Sequence, residues 1–238
     1  MVMAEHCIVE ISIYRAVLFD MDGVVADTTP LHAEAWRRAF EPYGARIEKM
    51  DIFLREGMAT QAMCRALATA KGLNLSEEQF DKIIQEKTAI FNSMAGDIVA
   101  FNGVAETIRM LRNNGLKTAL VTGTRRSSAQ TVIRKIGLEG AFDAIVTADD
   151  VERGKPDPEP YQKAMKMLDL APLNCIVIEN APLGIESAKA AKVDYVIGVT
   201  TTLPEKYLEK ADDIMASVSD LEQCLARRFA SRPGRVVM

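Results

Sequence analysis

Ala16-Val17-Leu18-Phe19-Asp20-Met21-Asp22-Gly23-Val24-Val25 decides the fold of this chain. An apolar run leads straight into two carboxylates one residue apart, and glycine follows at once. A short apolar run of this kind reads as a strand buried on both faces of a parallel sheet. Open α/β sheets bind their ligands at the carboxyl ends of such strands. Asp20 and Asp22 are therefore expected at the mouth of a site, with the chain turning at Gly23. Two acids held that close repel, which favours a bound cation or one raised pKa. The plain alternative is an ordinary strand-end turn.

Downstream, the pattern is helical from Thr28 to about Gly96. Thr29 followed by Pro30 reads as an N-cap with proline at the first helical position. Leu31, Ala35, Trp36, Ala39, Phe40 and Tyr43 make an apolar stripe that Gly44 stops. A second helix is expected from Thr60 through Met63, Ala66, Leu67 and Ala70, ending at Gly72. Ser76-Glu77-Glu78-Gln79 is a capping-box pattern ahead of a long helix through Phe80, Ile83, Ile84, Ile90, Phe91 and Met94. From Gly103 the style changes to alternating helices and strands. Helices are expected over 104–114, 127–136, 159–168 and 183–191. Strands are expected over 117–122, 144–147, 175–179 and 195–199. Such alternation implies right-handed βαβ units and a parallel sheet with helices on both faces. The strand at Ala16 belongs to that sheet, so the helical block is an insertion after the first strand. The expected fold is α/β: a doubly wound core of residues 14–28 and 99–226, an inserted helical cap of residues 29–98, and tails 1–13 and 227–238. A small helical domain at the mouth of a site is a natural lid.

The 238 residues can bury a substantial core as one large or two smaller domains. Composition, 48% apolar and 26% charged, is that of an ordinary globular protein. A formal net charge of -4 lends no support to a nucleic-acid partner, although local positive charge could still line an anion pocket. Cys7, Cys64, Cys175 and Cys224 show no C-x-x-C or Cys/His pairing and read as buried thiols rather than disulfides or zinc ligands. The longest apolar stretches are too short to cross a bilayer. Met1–Tyr14 carries Glu5 and Glu10 and no basic n-region, which argues against a secretory signal. The expectation is a cytoplasmic monomer without membrane partners. The stretch from Arg227 reads as a frayed tail, with a basic contact tail as the alternative.

The strand ends carry a polar set. Asp20 and Asp22 close the first strand, Thr122-Gly123-Thr124 the next, and Glu179-Asn180 the strand at Cys175. Gly154-Lys155-Pro156-Asp157-Pro158 lies in a loop after Val146. Each is common as plain structure, but all converge on one crevice. Phosphate chemistry needs this inventory, because a phosphate monoester is a dianion that resists an anionic nucleophile. Asp20 would be the nucleophile, forming an aspartyl-phosphate. Mg²⁺ held by Asp20, Asp22, Glu179 and Asn180 would screen the two anions. Thr122, Gly123 and Lys155 would hold phosphate oxygens. Asp22 would protonate the leaving oxygen and then deprotonate water.

Asp20-Met21-Asp22-Gly23-Val24, Thr122, Lys155-Pro156 and the stretch Glu179 to Glu186 resemble, in order, the four motifs of the haloacid dehalogenase superfamily. The resemblance spans roughly Tyr14 to Leu225. The insertion is similar to the four-helix cap of the beta-phosphoglucomutase-like branch. What this implies is a Rossmann-like core, Mg²⁺-dependent phosphoryl transfer and a cap that opens and closes. One departure stands out: the fourth motif in many relatives has Glu-Asp where this chain has Glu179-Asn180. Asn keeps an oxygen ligand but removes a charge, which lowers metal affinity and leaves more of the binding to Glu179.

Asp22 argues against a dehalogenase, whose halide leaving group needs no acid. The cap segment Glu56–Met63 lacks the Schiff-base lysine of phosphonatases. His32 stands where beta-phosphoglucomutases carry a cap-hinge histidine, although it also reads as a plain exposed helix residue. The mutase cap loop carries an arginine three residues after the matching Gly57. Here that position is Thr60, and Arg55 lies on the other side of the glycine. The expected activity is hydrolysis of a small, sugar-phosphate-like metabolite, with a phosphomutase as alternative and a phospho-receiver switch as a remote one. Selectivity is expected around His32 and Arg55 to Gln61.

Overall fold

β1 (Ala16–Phe19) is buried along its whole length, with Ala16 and Leu18 facing one helical layer and Val17 and Phe19 the other. Side chains alternate across a strand, so a continuous apolar run is what a strand covered on both faces requires. β1 lies at the centre of a six-stranded, all-parallel sheet in the order β3-β2-β1-β4-β5-β6. The other strands are β2 (Lys117–Val121), β3 (Ala144–Val146), β4 (Cys175–Glu179), β5 (Tyr195–Val199) and β6 (Asp213–Met215). The computed structural model describes residues 13–230, with side chains as far as Ala226.

One face of the sheet packs on α5 (Val104–Asn113), α6 (Arg126–Lys135) and α9 (Val218–Ala230) through Val104, Ile108, Leu111, Val132 and Leu221. The other packs on α7 (Glu159–Leu168) and α8 (Pro182–Ala190) through Tyr161, Met165, Leu168 and Ile185. The chain leaves β1 in one direction, to β2 and β3, and returns on its other side at β4. That reversal makes the carboxyl ends of β1 and β4 the crevice of a doubly wound sheet. Phe19 pairs with Ile178, so Asp20 and Glu179 emerge side by side.

Between β1 and β2 lie four helices ahead of α5: α1 (Thr29–Phe40), α2 (Lys49–Phe53), α3 (Thr60–Ala70) and α4 (Glu77–Ser93). The capping box at Ser76 forms with both reciprocal bonds. Gly44 and Gly72 end their helices as left-handed residues, as anticipated. Three expectations need correction. The N-cap of α1 is Thr28, one residue earlier than expected, and it makes no side-chain cap. Its hydroxyl is engaged by Asp22 instead. The last turn of α9 occupies residues expected to fray, while 231–238 lie outside the described residues. Cys64 and Cys175 are free and buried, but Cys224 is disulfide-bonded, and Cys7 lies outside the described residues. A lasting disulfide belongs to an oxidising compartment, so cysteine usage does not select a reducing one here. Among the described residues no helix is long and apolar enough to cross a membrane.

Candidate active site

Asp20 leaves the end of β1 buried and meets Lys155, whose Nζ donates to Asp20 Oδ1 at 2.5 Å, to Glu179 Oε1 at 2.6 Å and to the Val121 carbonyl at 3.0 Å. Tyr161 Oη donates to the same Glu179 oxygen at 2.7 Å. All three N–H bonds of the ammonium are thus directed at protein oxygens. Lys155 orients the Asp20 carboxyl here, and would reach a phosphate only by exchanging one of these partners. Burial, first of all, raises the Asp20 pKa, with Glu179 and Asp22 adding to it and Lys155 opposing. Lys155 is held protonated by the two carboxylates against its own burial.

Asp22 faces the other way. Its Oδ1 accepts from Thr28 Oγ1 at 2.5 Å and from His32 Nε2 at 3.1 Å. Its Oδ2 accepts from Thr122 Oγ1 at 3.2 Å and Thr124 Oγ1 at 3.1 Å. Burial acts to raise its pKa, but His32, Thr28 and Lys87 outweigh this and hold the carboxyl well below its usual range. Lys87, from α4, sits 2.9 Å from His32 Nδ1. An ammonium can only donate, so Nδ1 accepts and the imidazole proton lies on Nε2, pointing at Asp22. Burial and Lys87 lower the His32 pKa, and Phe91 stacks on the ring at 4.2 Å. Burial also lowers Lys87, to about 8.

Asn180 closes the crevice from β4. Gly23, at φ +88°, makes room for it: a Cβ there would stand 2.0 Å from Asn180 Nδ2. A side chain at that position would be strained in its backbone and would collide with the amide. Asn180 Oδ1 is buried without a hydrogen-bond partner, which is unusual for a buried amide. Among the described residues no three His, Cys, Asp or Glu side chains form a ready cage for a metal. An orphaned amide oxygen at the end of β4, the strand paired with β1, fits a hard divalent ion, which keeps several waters and takes few protein ligands.

The predicted residues therefore fall into three groups. Asp20, Lys155, Glu179 and Asn180 converge at the β1–β4 crevice, and Asp22, Thr122 and His32 share one network beside it. Gly57, Thr60 and Gly123 line the cleft. Arg55 does not: its guanidinium donates to the Asp51 carbonyl within the cap, because the chain turns at Gly57, φ +89°, before reaching the core. Sequence reading missed Lys87 and Thr28, and named Thr124 and Glu56 only within the Thr122–Thr124 turn and the Arg55–Gln61 stretch, without a role. Lys87 carried a signal, since it interrupts the apolar face of α4 between Ile83 and Ile90. The cap is shut on the core: a Cβ on Gly123 would lie 2.5 Å from the Gly57 carbonyl oxygen. Between α4 and the start of α6 a cleft of about 430 Å³ leads to His32 and Lys87, lined also by Gln85, Thr88, Arg125 and Ser128.

Known proteins share this arrangement. A phosphorylated carbohydrates phosphatase of Thermotoga maritima is 35% identical over 196 residues, which cover 79% of this chain and 87% of that protein. A fructose-1-phosphate phosphatase of Escherichia coli is 30% identical over 77% of this chain and 95% of its own length. The crystal structure of a beta-phosphoglucomutase from Clostridium difficile superposes with a TM-score of 0.81, at 26% identity, over 91% of this chain and 97% of that one. The haloacid dehalogenase-like hydrolase family matches residues 17–198, from inside β1 to the end of β5. Because that span takes in the strand-end acids, the lysine loop and the inserted helices together, the chain is a haloacid dehalogenase-like hydrolase, built like the beta-phosphoglucomutases of that family.

Proposed function

We propose that the protein is a Mg²⁺-dependent phosphatase that hydrolyses a small, sugar-phosphate-like metabolite through an aspartyl-phosphate on Asp20. The observation that carries this reading is the split at the end of β1: Asp20 is locked to Lys155, while Asp22 faces His32 across the cleft. Residues 29–98 act as the cap over a core of residues 14–28 and 99–226. Asp20 and the Asn180 amide oxygen would hold the ion; the Glu179 and Asp22 carboxylates each have both oxygens committed to hydrogen bonds and would join only by giving one up. Bound there, Mg²⁺ supplies positive charge that screens the carboxylate from the phosphate.

Asp20 attacks phosphorus with the oxygen that Lys155 leaves free, and Lys155 keeps that carboxylate in position. Asp22 is ionised at rest, so the proton for the leaving oxygen has to be brought to it. Lys87 gives a proton to His32 Nδ1, and His32 releases its Nε2 proton to Asp22, which passes it to the leaving oxygen. Asp22, once more a carboxylate, then takes a proton from the water that cleaves the acyl phosphate. The cleft beside His32 carries amide and hydroxyl groups from Gln85, Asn92, Thr88 and Ser128 on a largely apolar lining, which suits a polyhydroxylated leaving group.

A phosphomutase is the second reading, favoured by Arg125, an exposed cation on the same cleft where a second phosphate would lie. Phosphate release from a panel of sugar phosphates with MgCl₂ tests both. Sustained release supports the phosphatase. Conversion of beta-glucose 1-phosphate to glucose 6-phosphate with a bisphosphate activator supports the mutase. A single stoichiometric phosphorylation without turnover would sink both and leave a switch.

A further inference from the structure

Glu56 has no part in the chemistry above, yet this cap-loop carboxylate, lying between α2 and α3, sits beside the end of β4. It is buried, 6% exposed. Its Oε1 accepts from Thr29 Oγ1 at 2.5 Å and its Oε2 from Asn180 Nδ2 at 3.1 Å. Both partners are neutral. Burial and the neighbouring Asp22, Asp20 and Glu179 push the Glu56 pKa well above the usual range, so the carboxyl stays charged there only when a cation balances it.

Asn180 shows a matching deficit from the core side. Its Nδ2 donates to Glu56 and to Thr202 Oγ1 at 2.9 Å. Toward an ionised Glu56, which can only accept, the amide must present Nδ2, and Oδ1 is left facing away without a partner. Around the cleft, four buried carboxylates (Asp20, Asp22, Glu56 and Glu179) face two buried ammonium groups, Lys87 and Lys155. With all four carboxyls ionised, the excess equals the charge of one divalent cation.

We propose that Glu56 is a cap-borne member of the cation site, supplying the negative charge that Asn180 lacks. Cation binding and cap closure are then one coupled equilibrium. The inference rests on the Mg²⁺-dependent reading above. Glu56 is in place only while the cap loop lies on the core, with Gly57 against Lys155 and Gly123. An open cap leaves the site one charge short. The cation therefore favours the closed state by its differential affinity.

Calorimetric titration of MgCl₂ into the full chain without substrate tests this, using wild type, Asp20→Asn, Glu56→Gln, and Glu56→Gln combined with Asn180→Asp. Glu56→Gln is expected to weaken Mg²⁺ binding about tenfold or more. Asn180→Asp in the same chain is expected to recover most of the loss, because it returns the charge from the core side. Trp36, the single tryptophan, lines the cleft from the cap. Its fluorescence is expected to respond to Mg²⁺ in wild type and not in Glu56→Gln. Equal affinity in wild type and Glu56→Gln, with Asp20→Asn weakened, overturns the role of Glu56 alone. No Mg²⁺ binding by wild type, or unchanged binding in Asp20→Asn, overturns the metal-dependent reading beneath it. Should Glu56→Gln fail to fold, Glu56→Asp replaces it and must likewise bind more weakly.

Discussion

Asp20 and Asp22 stand one residue apart, yet they belong to two differently built halves of one cleft. The sheet half is made from the core alone: Asp20 after β1, the Val121 carbonyl of β2, Glu179 of β4, and Lys155 from the loop before α7. The cap half is made across the hinge, where Asp22 collects Thr28, His32 of α1 and, through the imidazole, Lys87 of α4. The hydrogen bonds that hold Asp20 come from the core, whereas Asp22 has its full set of partners only with the cap in place.

Asp20→Asn breaks the sheet half at its centre and is expected to lower phosphate release by about 10⁴-fold or more, with the circular dichroism of the fold retained. Asp22→Ala breaks the cap half, with an expected loss of roughly 10²–10⁴-fold in both phosphorylation and dephosphorylation, read by single-turnover kinetics.

The next contrast concerns stability. Lys155→Ala strands two buried carboxylates and is expected to cost about 3–5 kcal/mol in denaturant unfolding. Lys87→Met bears on stability through pH instead, because burial lowers the pKa of this cation while Asp22 opposes the shift. Between about pH 8, where folded Lys87 loses its proton, and the higher range where the unfolded chain does, the unfolded state holds the extra proton. Stability from this group rises with pH across that window. Unfolding at pH 8 and pH 10 is expected to show this rise shrinking in Lys87→Met relative to wild type, while the alkaline limb of the rate profile shifts. Arg55→Ala is the smallest test. Its guanidinium is committed to the Asp51 carbonyl inside the cap, and substrate affinity is expected to stay at the wild-type value in steady-state assays.

The sheet half was nearly all legible in the sequence, because a strand buried on both faces announces itself as an apolar run and its polar end marks the site. β6 was not, since it is three residues long at the sheet edge and only half-buried. α2 is likewise too short for a periodicity to show. The cap half was harder for another reason. Lys87 and Glu56 are charges on buried positions whose partners lie far away in the chain, His32 and Asn180. Thr29 reads as a capping residue, but the folded chain makes Thr28 the N-cap and directs the two hydroxyls to Asp22 and Glu56 instead. Local rules failed where tertiary electrostatics supplied a stronger acceptor.

Where Gly123 meets the Gly57 carbonyl, lid and body touch main chain to main chain, with no side chain between them. A single added methyl at 123 would act as a doorstop. It would hold the enzyme ajar without replacing any reactive side chain, and so separate the act of shutting from the reaction that shutting permits.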